Sequence, residues 1–384
     1  MAALRAALAG GVPVYVTRRG RTLLICAAEN GQMAMCKMLL TRGADAAQTT
    51  ARGYAPLHFA ADNGHLDVCR LLLDHRADVD PSSYDYETPL HLAARSGHVE
   101  VCLLLLRLGA DIDAGMYDGS SPFLVAVSYG HVPVCRLLLG LGADTSKRTH
   151  YECASALYLA AQEGHLDACR LLLEQGANVT QPTADGASPS FIAARLGHLD
   201  VFVLLLAHGA NVNETMINGN SLLHIAAAYG HVNVCRLLLQ RGANINHVAK
   251  NGETPLSVAV MNGERDACQL LLEHGADMRQ AEANGVPLLC VAAEFGHAHV
   301  CRLLLERGAD VKQVLDNGES PLHLAARNSR LDVCRLLLER GADINQATKY
   351  GETAIDAACD AYDPDIFLEL SEWAEAQPHK AARH

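Results

Sequence analysis

The chain repeats itself at a fixed interval. Gly-Ala-Asp or Gly-Ala-Asn triplets place Ala44, Ala110, Ala143, Ala177, Ala210, Ala243, Ala276, Ala309 and Ala342, and Ala77 follows Arg76 where the others have glycine. Successive alanines lie 33 residues apart, except for 34 between Ala143 and Ala177. A period of this length marks a repeat architecture, in which one supersecondary unit stacks on its neighbours and no unit buries its apolar face alone.

Each unit has the same internal plan, clearest in the third. Thr88-Pro89-Leu90-His91-Leu92-Ala93-Ala94 opens a short helix, with Pro89 in the first turn, where a missing N–H costs nothing. Gly97-His98 ends it. Val99 to Leu108 forms a second helix whose Val101, Cys102, Leu104, Leu105 and Leu106 make a broad apolar face. Gly109 supplies the left-handed residue that stops this helix. A loop through Asp113, Met116, Tyr117 and the tight-turn pair Asp118-Gly119 leads onward.

These motifs resemble the ankyrin-repeat family. Ala55-Pro56-Leu57-His58, Thr88-Pro89-Leu90-His91 and Ser320-Pro321-Leu322-His323 match its helix-opening motif, and the Gly-His turns and Gly-Ala-Asp caps match its punctuation. The resemblance runs from Gly20 to about Cys359. It implies an all-α repeat solenoid of stacked helix-turn-helix units, with hairpin-like loops forming a curved array. The expected organisation is an N-terminal cap over residues 1–19 and ten repeats over 20–350. An incomplete repeat and a capping helix from Asp363-Pro364 would fill 351–376, with a tail over 377–384 and no second domain.

Several units depart from the common plan. Arg76 stands where the helix stop favours glycine, which costs about 1–2 kcal/mol if that residue is left-handed. Asn328-Ser329-Arg330 replaces the Gly-His turn of the tenth unit, and Glu264 replaces the histidine of the eighth. The helix-opening histidine is replaced by Leu124, Tyr158, Phe191, Ser257 and Cys290.

The pattern His-x-x-x-Cys recurs at His65/Cys69, His98/Cys102, His131/Cys135, His165/Cys169, His231/Cys235 and His297/Cys301, and histidine and cysteine are zinc ligands. Geometry opposes a metal ladder. The histidine falls in the turn, and the cysteine is followed by Arg or Leu and then leucines on the buried face. Neighbouring rungs sit about 10 Å apart, the spacing of packed helices. That is too far for a shared ion or a disulfide. The cysteines therefore read as small buried hydrophobes. His58, His91, His224 and His323 recur without a fixed acid or nucleophile beside them, and the resemblance implies that they bond loop backbone. Phosphate-loop, zinc-protease, serine-hydrolase and kinase motifs are missing from the sequence. No catalytic residue, metal or cofactor is expected. Leu337 to Asn345, ending in Asp343-Ile344-Asn345, weakly resembles ankyrin segments hydroxylated on asparagine in animal cells, and a plain loop asparagine is the preferred reading of Asn345.

Composition narrows the partners. A net charge of -12 lacks the basic footprint that nucleic-acid binding requires. No run of apolar residues is long enough for a membrane helix. Residues 1–16 lack the continuous apolar stretch of a secretory signal. With 13 cysteines read as reduced thiols, the chain is expected to be cytoplasmic and monomeric.

A protein partner must use positions the fold does not need, which the resemblance places on the hairpin tips and the exposed side of the first helices, lining a concave groove. Aromatics make up only 5% of the chain, so their placement is informative. The tips carry Tyr84, Tyr86, Met116, Tyr117, Tyr151, Met216 and Ile217. The position before the Gly-His turn carries Tyr129, Leu196, Tyr229 and Phe295. Solvent-facing residues of these types are enriched at interface hot spots. Lys147 and Arg148 make the longer connection before the fifth unit a basic tip suited to an acidic or phosphorylated group. The expected function is a non-catalytic interaction scaffold or adaptor. A substrate-recruiting subunit of a ubiquitin ligase, a bacterial effector acting on host proteins and an inhibitor of one enzyme are the alternatives.

Overall fold

The computed structural model describes residues 17–18, 20–279, 285–360 and 363–376. The proposed N-terminal cap (apart from residues 17 and 18) and the tail over 377–384 lie outside them. The described residues form helices in pairs, preceded by one small antiparallel pairing of Thr17–Arg18 with Arg21–Thr22. Among the described residues that pairing is the one departure from helix, apart from an isolated bridge between Thr215 and Ser221.

The first helix of each repeat is short, as in Pro56–Asp62, Pro89–Arg95 and Pro122–Ser128. Helices of two turns are unstable alone, so their stability comes from stacking. Local chemistry fixes where they start. Proline occupies the first turn, and a Ser or Thr caps the end, as when Ser121 Oγ accepts the Leu124 N–H at 3.3 Å. The second helices are nine residues long in repeats one to ten, as in Leu66–Asp74 and Val232–Gln240.

The helices fall into two compact units. One comprises residues 1–192 and 203–210, the other 193–202 and 211–384. In the first unit, first helices stack on first helices and second on second through the first five repeats. Leu57, Leu90 and Phe123 lie at the centre of this stack, fully buried with Cys69, Cys102 and Cys135. In the second unit the same stacking joins the helix pairs from Leu222–Ala228 onward. Here Ala354–Asp360 and Pro364–Ala376 pack together as an eleventh helix pair. The expected incomplete repeat therefore acquires its second helix from the segment read as a cap.

Polar bonds register the stacking. Histidines of the Gly-His turns donate from Nε2 to a carbonyl of the preceding repeat: His98 to Asp62 at 3.0 Å, His131 to Arg95 at 2.8 Å, and, in the second unit, His231 to Arg195 at 2.8 Å. The tenth repeat keeps this bond without histidine, because Arg330 Nε donates to the Glu294 carbonyl at 3.3 Å. In the loops, Asp111 N–H donates to Asp80 Oδ2 at 2.7 Å and Asp144 N–H to Asp113 Oδ1 at 2.9 Å.

Among the described residues four other than glycine are left-handed: Arg76, Tyr86, Cys153 and Ser329. Arg76, with φ of 65°, occupies the helix stop as expected. Substituting Arg76→Gly should stabilise the protein by about 1 kcal/mol, the left-handed strain less the entropy glycine loses on folding. A lower thermal midpoint in circular dichroism would refute this.

Candidate protein-interaction surface

The recurring histidines and cysteines are committed to the framework. Nδ1 of His58 accepts the Ala55 N–H at 3.0 Å, and its Nε2–H donates to the Glu87 carbonyl at 3.0 Å. His91 joins Thr88 N–H to the Ser120 carbonyl in the same way, at 3.2 Å on each side. His224 and His323 reach the Glu253 and Glu352 carbonyls. Both ring nitrogens are thus spent on backbone. Burial lowers the pKa of His58, His91 and His224 to about 4. The second-helix thiols are pushed the other way by the same cause, to about 12 at Cys69, Cys102, Cys135 and Cys235. They stay protonated, which suits packing and not metal binding or nucleophilic attack. Among the described residues no group of His, Cys, Asp and Glu is placed to hold a metal ion, and no helix is long and apolar enough to cross a membrane.

What remains outside the framework is aromatic and exposed. Seven of the nine described tyrosines are more than half exposed, the opposite of what an amphipathic ring does in a core. In the first unit these are Tyr84, Tyr86, Tyr117, Tyr129 and Tyr151. The hairpin backbones hold the tips in line: Tyr84 N–H donates to the Arg52 carbonyl, Tyr117 N–H to the Asp85 carbonyl and His150 N–H to the Asp118 carbonyl, at 3.0, 3.0 and 2.6 Å. This brings Tyr117 and Tyr151 to a ring separation of 6.3 Å at a tilt of 44°. Tyr129 caps the C-terminal end of Pro122–Ser128, a helix about 10 Å long.

Tyr86 was singled out in the sequence for its ring alone, and its backbone adds a second feature. Its φ is 61°, at the turn position where the flanking hairpins have Gly53 and Gly119. Cys153 occupies the corresponding position in the hairpin that holds the extra residue.

In the second unit, Ile217 is exposed on a tip, and Leu196, Tyr229 and Phe295 are exposed at the ends of first helices. Tyr229 lies nearly parallel to His231 at 6.4 Å, and Phe295 to His297 at 6.2 Å. The turn histidines therefore run nearly parallel beside these exposed rings. Tyr350, the most exposed of the described tyrosines at 81%, was missed, although it sits beside Gly351 in the same tip register.

Four expected contact residues behave differently from a free surface group. Met116 and Met216 are half-buried instead of solvent-facing, and each begins its hairpin with its backbone N–H bonded to the carbonyl of Ser120 or Asn220. Lys147 donates to the Asp113 carbonyl at 2.6 Å, and Arg148 donates to the Pro182 carbonyl. These two cations brace the longer connection and do not project from it.

Comparison with known proteins agrees with this architecture. A family model described as ankyrin repeats in three copies matches residues 3–85, 78–149, 150–216, 191–282 and 289–380. No curated protein matches. The crystal structure of the human ASB11 ankyrin repeat domain is similar at 29% identity with a TM-score of 0.54, over 58% of this chain and 99% of that one. The chain belongs to the ankyrin-repeat family, whose repeats are protein–protein interaction modules.

Proposed function

We propose that the chain is a non-catalytic adaptor that binds a partner protein through its hairpin tips and the exposed ends of its first helices. The observation that carries this reading is the exposure of tyrosine at those positions, in a chain with few aromatics elsewhere on its surface. Such rings supply large contact area at low entropic cost. The scaffold beneath them is held by backbone bonds from repeat to repeat, so little ordering is needed on binding. Tyr84, Tyr86, Tyr117, Tyr129 and Tyr151 serve as contacts in the first unit, and Leu196, Ile217, Tyr229 and Phe295 in the second.

The test is affinity capture from a lysate of the source organism, comparing wild type with a Tyr117→Ala/Tyr129→Ala/Tyr229→Ala variant. A partner retained by wild type and lost by the folded variant supports the reading. Identical capture by both removes these residues from the interface.

Tyr86 offers a sharper form of the same test. Tyr86→Gly should relieve left-handed strain and stabilise the protein by about 1 kcal/mol while weakening partner capture. A variant that is more stable and binds equally well would make Tyr86 a neutral departure.

A further inference from the structure

The connections of the two units differ in charge. In the first unit, segments 44–53, 77–86, 110–119, 143–153 and 177–186 carry ten carboxylates against three bases, Arg52, Lys147 and Arg148, with eight of the ten in the middle three segments. In the second, segments 211–219, 243–252, 276–285, 309–318 and 342–351 carry six carboxylates against four bases. Asn213 and Asn246 there do the loop bonding that Asp80 and Asp113 do in the first unit, so the bonding itself does not require the charge.

The acidic connections are the ones that carry the tyrosine strip. Asp85 lies between Tyr84 and Tyr86, Asp118 follows Tyr117, and Glu152 follows Tyr151. Asp85 and Glu152 are exposed, and Asp118 is half-buried with its oxygens on Ser120. Lys147 and Arg148 are held against backbone carbonyls, and Arg52, exposed on the next tip, marks the end of the acidic stretch. The Tyr84/Tyr86 and Tyr151 tips thus pair a ring with an exposed carboxylate, while the Tyr117 tip between them has its carboxylate bonded to Ser120.

A guanidinium or ammonium group is stabilised by both, through the ring face and through a charge-assisted hydrogen bond. An anionic or wholly apolar partner would desolvate the carboxylates without pairing them. We propose that this strip binds an arginine- and lysine-rich segment of the partner, an inference that rests on the adaptor reading above. Repeats stack about 10 Å apart, which is about one three-residue turn of polyproline II helix at about 3.1 Å per residue, a form that returns every third side chain to the same face. The segment would carry a cation at every third position.

The probe is a fluorescein-labelled peptide with arginine at every third position, measured by fluorescence anisotropy beside its glutamate counterpart. Wild type should bind the arginine peptide and not the glutamate one. Tyr84→Ala/Tyr117→Ala/Tyr151→Ala and, separately, Asp85→Asn/Glu152→Gln should each weaken binding about tenfold or more. Glu174→Gln/Glu339→Gln removes the same charge from the ends of second helices and should change affinity less than about twofold. No binding, equal loss in that control, or no loss in the tyrosine variant overturns the inference.

Capture of the natural partner separates the two readings. A partner lost by the tyrosine variant and kept by Asp85→Asn/Glu152→Gln overturns the cationic assignment and leaves the adaptor. A partner kept by both variants removes the strip altogether.

Discussion

Acidification from pH 7 to pH 5 should cost the protein a large part of its stability, above the range in which ordinary carboxylates titrate. His58, His91 and His224 are held neutral in the fold, with pKa about 4 against an ordinary value of 6.5. Between those values the unfolded chain binds more protons than the folded one, so stability falls as pH falls and the loss levels off below the folded pKa. Each ring should cost about 2 kcal/mol at pH 5 relative to pH 7. Asp80, whose pKa burial raises, works in the opposite sense, and the lowered carboxylates Asp356 and Glu369 act only at lower pH. Thermal midpoints followed by circular dichroism across this window measure the effect. The control comes from the protein itself. In the eighth repeat Ser257 replaces the histidine and still accepts the Thr254 N–H at 2.8 Å. A His58→Ser/His91→Ser/His224→Ser variant should start less stable and lose much less on acidification. Equal slopes in wild type and variant would place the titration elsewhere.

The repeat plan is legible in the sequence because it rests on local, recurring chemistry. The period, the proline in the first turn, the apolar face of the second helix and the glycine stop each follow from one residue and its neighbours, and in the third repeat the observed helices, Pro89–Arg95 and Val99–Arg107, fall within a residue of expectation. What the period hides is the partner of each polar group. Spacing puts His98 in a turn but does not say that its ring reaches back to Asp62. The surface was legible only by register. Tyr84, Tyr117 and Tyr151 stand out because the framework does not use their positions, whereas Met116 and Met216 at neighbouring positions are half-buried, and Lys147 and Arg148 in the same loops are held by backbone carbonyls that no composition reveals. The left-handed Tyr86 was readable in principle, since Gly53 and Gly119 flank it in the same register. Asn345, in a plain loop turn where its N–H bonds Asp343, gives no reason beyond its sequence context to single it out.

Gly97→Ala should be among the most damaging single-methyl changes in the first unit, and Gly109→Ala should cost much less. Both glycines are left-handed, at φ of 77° and 98°, so both variants incur backbone strain of about 1–2 kcal/mol. They differ in what a new Cβ would meet. At Gly109 nothing lies within 4 Å, while at Gly97 the added carbon would sit 2.7 Å from Nδ1 of His131. That ring cannot swing aside cheaply, because its Nε2–H is bonded to the Arg95 carbonyl at 2.8 Å. The methyl therefore either breaks the inter-repeat bond or pushes the repeats apart, at a further cost of about 1–3 kcal/mol. Chemical denaturation of the two single variants isolates this excess, since the strain is common to both. A double-mutant cycle with His131→Ala assigns it: removing the ring should cost wild type more than it costs Gly97→Ala, because in the variant the contact is already lost. If the two glycine variants are equally destabilised, the close approach carries no energy, and the Gly-His pairs merely end helices without stitching one repeat to the next.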